Sequence, residues 1–237
     1  MLDTVLFDLG NTLVGYYGRA DFPAILEQAI AGVQAYLRQR GLLDTPPQDL
    51  WQRVQDENRE AVDHRVRPLE GRLARIFGLD PVPATDVILA MCRCFLQPIF
   101  ARACLYEDTL PVLRRLRAAG CRIAVVSNSP WGSPAELWRE ELERLGLRAH
   151  VDAAVFCGDV GWRKPARQIF EFTLEKLQAR PEQCLFVGDD PRWDLVGPQA
   201  LGMEAVLIDR HAALRDAGEA SIHGLGELEG RLLPLLP

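Results

Sequence analysis

Lysine is nearly missing from this chain: of 27 basic residues only Lys164 and Lys176 are lysines, and the remainder are arginines. Positive charge is also the minority sign, since 33 acidic residues leave a formal net charge of −6. That balance argues against a general nucleic-acid binder, which is usually basic. No apolar run approaches the roughly 20 residues that a helix needs to span a bilayer. Met1 to Leu9 run straight into a strand-like stretch without a basic leader, so a cytoplasmic protein with no membrane partner is expected. Metal-type cysteine spacing is lacking too. Of Cys92, Cys94, Cys104, Cys121, Cys157 and Cys184 only the first two are close, whereas a zinc site needs close pairs with histidines. Reduced structural thiols are therefore expected.

What is present is enough apolar material for a substantial core, 48% of the residues. Its length of 237 residues suits one ordinary domain, or a core carrying a smaller insert. Five apolar runs rich in Val, Ile, Phe and Leu predict buried strands: Thr4–Leu9, Arg122–Ser127, Ala153–Cys157, Gln183–Gly188 and Glu204–Ile208. Helical periodicity lies between the later runs, at Thr109–Ala119, Ser133–Leu145, Pro165–Leu177 and Leu195–Leu201. Strands alternating with helices predict a parallel sheet covered on both faces. The stretch from about Asp21 to Ala103 reads instead as four helices, Phe22–Arg40, Pro47–His64, Leu69–Phe77 and Ala84–Ala101. It is too large for a simple crossover, which predicts a helical domain inserted after the first strand, over the carboxyl edge of the sheet.

Ligands of open parallel sheets bind beyond the carboxyl ends of the strands. The first run ends in Asp8-Leu9-Gly10-Asn11-Thr12, a carboxylate beside free backbone N–H groups. The second ends in Ser127-Asn128, a hydroxyl and an amide that can bond phosphate oxygens. The loop Gly158–Pro165 carries Lys164, a compact ammonium in a sequence otherwise committed to arginine. The fourth run ends in Gly188-Asp189-Asp190-Pro191-Arg192-Trp193-Asp194, where three carboxylates repel one another unless a cation sits among them; hard oxygen donors of this kind suit magnesium. Nucleophile, phosphate donors, cation and metal ligands together form the set that phosphoryl transfer requires.

With these motifs in this order, the sequence resembles the phosphatase branch of the haloacid dehalogenase superfamily, with a helical cap. The resemblance implies an α/β fold, a Rossmann-like parallel core (residues 1–17 and 104–237) with an all-helical cap (18–103). It implies a Mg²⁺-dependent phosphatase for a small phosphorylated metabolite, with Asp8 as the nucleophile that becomes an aspartyl-phosphate. Ser127, Asn128 and Lys164 would hold phosphate, and Asp8, the Gly10 carbonyl, Asp189 and Asp194 or Asp190 the metal. Gly10 departs from the family pattern, which usually has a second Asp there as general acid and base. A good leaving group, a cap residue (Tyr16, Tyr17, Asp63 or His64) or a slow, regulatory protein would account for that. A metal-independent dehalogenase is the other enzymatic alternative, against which the acidic cluster counts. Trp131, Trp162 and Trp193 sit in motif-bearing loops. They suit an aromatic rim for a sugar ring or apolar substrate body, packing onto the sheet, or the surface of a homodimer. Hinges for cap closure are expected near Gly15–Asp21 and Cys104–Asp108.

Overall fold

A computed structural model of the chain describes residues 2–210 and 221–228. The expected core segment reaches residue 237, so its parts at 211–220 and 229–237 lie outside the described residues.

The strands are β1 (Thr4–Phe7), β2 (Val14–Gly15), β3 (Cys104–Leu105), β4 (Arg122–Ser127), β5 (Ala153–Phe156), β6 (Cys184–Gly188), β7 (Glu204–Ile208) and β8 (Ser221–Ile222). Six form one all-parallel sheet in the order β5-β4-β1-β6-β7-β8. β1 is central and wholly buried, as a continuous apolar strand covered on both faces must be. On one face Val5 and Phe7 join Val125, Val187 and the apolar side chains of two following helices, α5 (Thr109–Ala118) and α6 (Ala135–Arg144). On the other, Leu6, Val126 and Phe186 pack against α8 (Arg167–Leu177), with Phe170 and Phe186 edge to face at 5.5 Å.

Between β2 and β3 lie four helices: α1 (Phe22–Gln39), α2 (Leu50–Glu57), α3 (Leu69–Phe77) and α4 (Thr85–Phe100). α1 opens with Pro23 in its first turn, and its buried stripe of Ile25, Ala29, Ile30, Val33 and Leu37 recurs at helical spacing. β2 and β3 pair antiparallel where the chain leaves and re-enters the sheet region, Gly15 opposite Cys104.

α2 is shorter than the periodicity of residues 47–64 predicts. Its end is set by arginine: Arg72 Nη1 donates to the Glu57 carbonyl at 2.7 Å, taking over a bond that a further helical turn would have made. The connector that follows lies against the Lys164 loop. Arg163 N donates to the His64 carbonyl at 2.8 Å, Val66 N donates to that of Gly161 at 2.9 Å, and Arg65 pairs antiparallel with Trp162. The helix expected at Leu195–Leu201 forms as α10 (Val196–Ala200), capped by Leu195 and Leu201. A separate short turn, α9 (Pro191–Asp194), precedes it, and α7 (Cys157–Val160) is a further short helix among the described residues.

Candidate active site

The in-register pairing Phe7–Val125 and Phe7–Val187 brings the ends of β4, β1 and β6 to one level. Asp8 therefore emerges between Ser127 and Asp189 at the carboxyl edge of the sheet, with strand spacing of about 4.8 Å setting the lateral separation. Its N–H is fixed to the Val187 carbonyl at 2.8 Å.

Lys164 reaches this edge from the loop after β5, with its side chain only 2% exposed. Its Nζ donates to Asp8 Oδ1 at 2.6 Å and to Asp194 Oδ1 at 2.7 Å. Burial works to lower the ammonium pKa, but Asp194 and Asp8 outweigh it and hold it above the usual lysine value. The loop is clamped from β4: Asn128 Oδ1 accepts from Lys164 N at 2.8 Å and its Nδ2 donates to the Lys164 carbonyl at 3.2 Å. The sequence suggested a phosphate contact for the Asn128 amide. It carried no sign that the Asn128 side chain orients the lysine backbone.

Carboxylate oxygens of Asp8, Asp189 and Asp194 come within 4.8 Å of one another. Asp194 reaches the cluster because Gly188 has no side chain; a Cβ there would overlap the Asp194 carboxylate. Asp194 Oδ2 accepts from Asp190 N at 3.0 Å, and Asn11 Nδ2 donates to Asp189 Oδ2 at 3.2 Å. Asp190 itself is held by the Arg192 guanidinium at 3.0 and 2.7 Å, so Asp194 rather than Asp190 completes the trio. Burial, then Asp8 and Asp194, push Asp189 up to about 7. Burial also raises Asp194 to about 6, against Lys164 and with Asp8 adding to the rise. Asp189 and Asp194, crowded against Asp8, resist ionisation, which is the signature of a site that a hard cation would relieve, and the oxygen donors of the trio fit magnesium.

A cavity of about 580 Å³ opens over this edge. Asp8, Gly10, Ser127, Asn128, Lys164, Asp189 and Asp194 line it, together with Tyr16, Tyr17 and Trp131. Trp193 is there too, whereas His64 and Trp162 are not. His64 packs edge-on to Trp193 with ring centroids 6.0 Å apart, and Trp162 lies under the Arg65 guanidinium at 4.6 Å. Both belong to the strand-like contact between the α2–α3 connector and the lysine loop, which turns them away from the cavity. Asp63 is engaged in the same connector, its Oδ1 accepting from Arg65 N at 3.1 Å.

Trp138, Asn58, Glu60 and Arg163 also line the cavity and carried no motif by which sequence could find them. The Tyr16 hydroxyl is sealed from solvent and has no hydrogen-bond partner among the described residues, while its ring stands edge-on to Trp138 at 5.8 Å. Burial, with Glu141 adding and Arg144 opposing, raises the phenol well above its ordinary pKa, so it stays protonated.

Residues 2–202 match the haloacid dehalogenase-like hydrolase family. This chain belongs to the haloacid dehalogenase-like hydrolases. The hydrolase is 29% identical over 213 residues to a glyceraldehyde 3-phosphate phosphatase of Methanopyrus kandleri, covering 89% of this chain and 85% of the relative. It is 30% identical to a phosphoglycolate phosphatase of Cereibacter sphaeroides, covering 98% and 96%. Among solved structures, a 2-haloacid dehalogenase from Pseudomonas syringae aligns with a TM-score of 0.71 at 25% identity, covering 99% of this hydrolase and all of that chain.

Proposed function

We propose that this hydrolase is a magnesium-dependent phosphatase acting on a small phosphorylated metabolite through an aspartyl-phosphate at Asp8. The observation that carries this reading is the packing of Asp8, Asp189 and Asp194 around the single ammonium of Lys164, in a cavity shared with Ser127. Asp8 attacks phosphorus, the ester oxygen leaves, and water then releases phosphate from the aspartyl-phosphate. Ser127 Oγ and the Asn128 N–H donate to phosphate oxygens. Lys164 neutralises developing charge while keeping Asp8 aimed through their 2.6 Å bond. Asp8, Asp189 and the Gly10 carbonyl would hold the magnesium ion, which supplies charge neutralisation at the phosphate, and Asp194 supports from its place between Lys164 and the Asp190 amide.

Gly10 provides no proton to the leaving group. General acid–base help is typically worth about 10²–10⁴-fold, so the preferred substrates are esters and acyl phosphates whose leaving group needs little protonation. The likeness to a dehalogenase structure and the missing second carboxylate favour a second reading, halide displacement by Asp8 without metal. The acidic cluster speaks against it, because metal-free chemistry supplies no cation beyond Lys164 to offset three crowded carboxyls. One assay separates the two. Incubation with an aryl phosphate and Mg²⁺ should release phosphate and leave a phosphoprotein labile to alkali and hydroxylamine, absent from Asp8→Asn, all of it abolished by chelator. Chloride release from 2-chloropropionate in the presence of chelator would reverse the assignment.

A further inference from the structure

Beyond the phosphate end, the cavity carries one charged pair that none of the motifs explains. Glu60 lies just past α2 and Arg163 just before Lys164, and both face the cavity. Arg163 Nη1 stands 3.3 Å from Glu60 Oε1, yet the nitrogen is buried and makes no hydrogen bond among the described residues. The other Glu60 oxygen is fixed, because Oε2 accepts from Arg72 Nη2 at 2.8 Å. Arg72 is fully buried and is itself held by the carbonyls of Arg67 at 2.9 Å and Glu57 at 2.7 Å. Glu60 therefore cannot swing out of the cavity wall without breaking a buried guanidinium's bond.

Resting on the phosphatase reading above, we propose that Glu60 and Arg163 form a specificity subsite for an uncharged, hydroxyl-bearing substrate body and reject esters carrying a second anionic group. A hydroxyl arriving from the cavity donates to Glu60 Oε1, and it accepts from Arg163 once the guanidinium turns its buried Nη1 outward, a small movement because that nitrogen breaks no hydrogen bond among the described residues. A carboxylate at the same place finds Arg163 already facing an acid and meets the fixed Glu60 charge, a juxtaposition that costs affinity. The remaining cation of the lining, Lys164, is committed to Asp8 and Asp194. Among the described lining residues no other cation is left for a second anion, and the neighbouring surfaces are the amide of Asn58 and the rings of Trp131, Trp138 and Trp193. The consequence is a selectivity opposite to that of a phosphatase for a phosphocarboxylate.

The test reads binding rather than turnover. Asp8→Asn with Mg²⁺ is titrated with glucose 1-phosphate and with glucuronic acid 1-phosphate, which differ by a distal CH₂OH or carboxylate, following intrinsic tryptophan fluorescence. The glucose ester should bind about tenfold more tightly or better, and Glu60→Gln in the same background should bring the two within about threefold by strengthening the acid. If Glu60→Gln does not fold, Arg163→Met serves: it should weaken the glucose ester about threefold or more without improving the glucuronate ester. Equal affinities in the Asp8→Asn protein, no binding of the glucose ester, or a ratio that neither variant shifts would overturn the subsite. Failure of the phosphatase reading shows separately, as no phosphate release from any ester by the unaltered enzyme.

Discussion

At position 10 the backbone leaves room for a side chain, since an added Cβ would come no nearer than 3.9 Å to Tyr16 Cδ2. The absence of an acid there is therefore a property of the sequence and not a steric necessity of the loop. Gly10→Asp should raise kcat on alkyl phosphates about tenfold or more while changing aryl phosphates little, because only the poorer leaving group needs the proton. Equal effects on both classes would mean that Tyr16 or another donor already serves the leaving oxygen. The acidic trio gives a second prediction. Asp189 rises from an ordinary 3.8 to about 7, so the folded state keeps its proton where the unfolded chain has lost it. That contribution to stability is complete below about pH 4 and disappears as pH climbs through 7. Without metal, unfolding free energy should thus fall by on the order of 1–3 kcal/mol between pH 5 and 7.5 relative to Asp189→Asn. Mg²⁺ should raise Tm more at pH 7.5 than at pH 5, because it binds the deprotonated carboxylates. Parallel pH profiles for the two proteins would contradict the assigned burial of Asp189.

At the scale of the element, the loop after β4 depends on two successive left-handed residues, Trp131 with φ 56° and Gly132 with φ +64°. They turn the Trp131 ring against Phe95 of α4 at 5.1 Å and beneath the Arg72 guanidinium at 5.3 Å. A Cβ on Gly132 would lie 2.5 Å from the Arg67 carbonyl, whereas one on Gly120, also at positive φ, would meet nothing within 4 Å. Gly132→Ala should destabilise more than Gly120→Ala by about 1–3 kcal/mol in denaturant unfolding, since the left-handed penalty is common to both and only the first adds overlap. These contacts mark where sequence stopped being legible. The long strands could be read to within about two residues, because strands covered on both faces are continuous apolar runs. The two-residue ribbon of β2 and β3 has too little pattern to read, and β8 is equally short. The end of α2 was hidden because Arg72, fifteen positions beyond Glu57, supplies the donor that stops it. The motif residues could be picked out because strand ends in a parallel sheet fall at one edge. Glu60, Trp138 and the true orientation of His64 and Trp162 depend on how the inserted helices lie against the loops, which periodicity does not encode.

Across the whole molecule, the apolar side chains of the inserted helices and of the sheet form one continuous cluster. Ile25, Val33, Leu37, Phe95 and Leu96 belong to the same buried network as Val5, Phe7, Val125 and Val187. Trp131, 4% exposed, lies within it between the catalytic edge and α4. Swinging the helices away as a free lid would uncover this ring, and exposing a large buried aromatic side chain costs about 3 kcal/mol or more at the usual area coefficient. Motion at the β2–β3 ribbon is therefore expected to be small in amplitude, and the two parts are expected to unfold together. Far-ultraviolet circular dichroism, dominated by all the helices, and tryptophan fluorescence should trace a single coincident thermal transition, with a calorimetric enthalpy of about 170 kcal/mol for a chain of this length. Trp131→Ala should break that coincidence. Removing the ring takes away the contact between the loop and α4, so the inserted helices lose order before the sheet and the dichroism transition runs ahead of the fluorescence. Two transitions already in the unaltered protein would show instead that the helices and the sheet fold as separate units, with Trp131 resting against the helices rather than joining them.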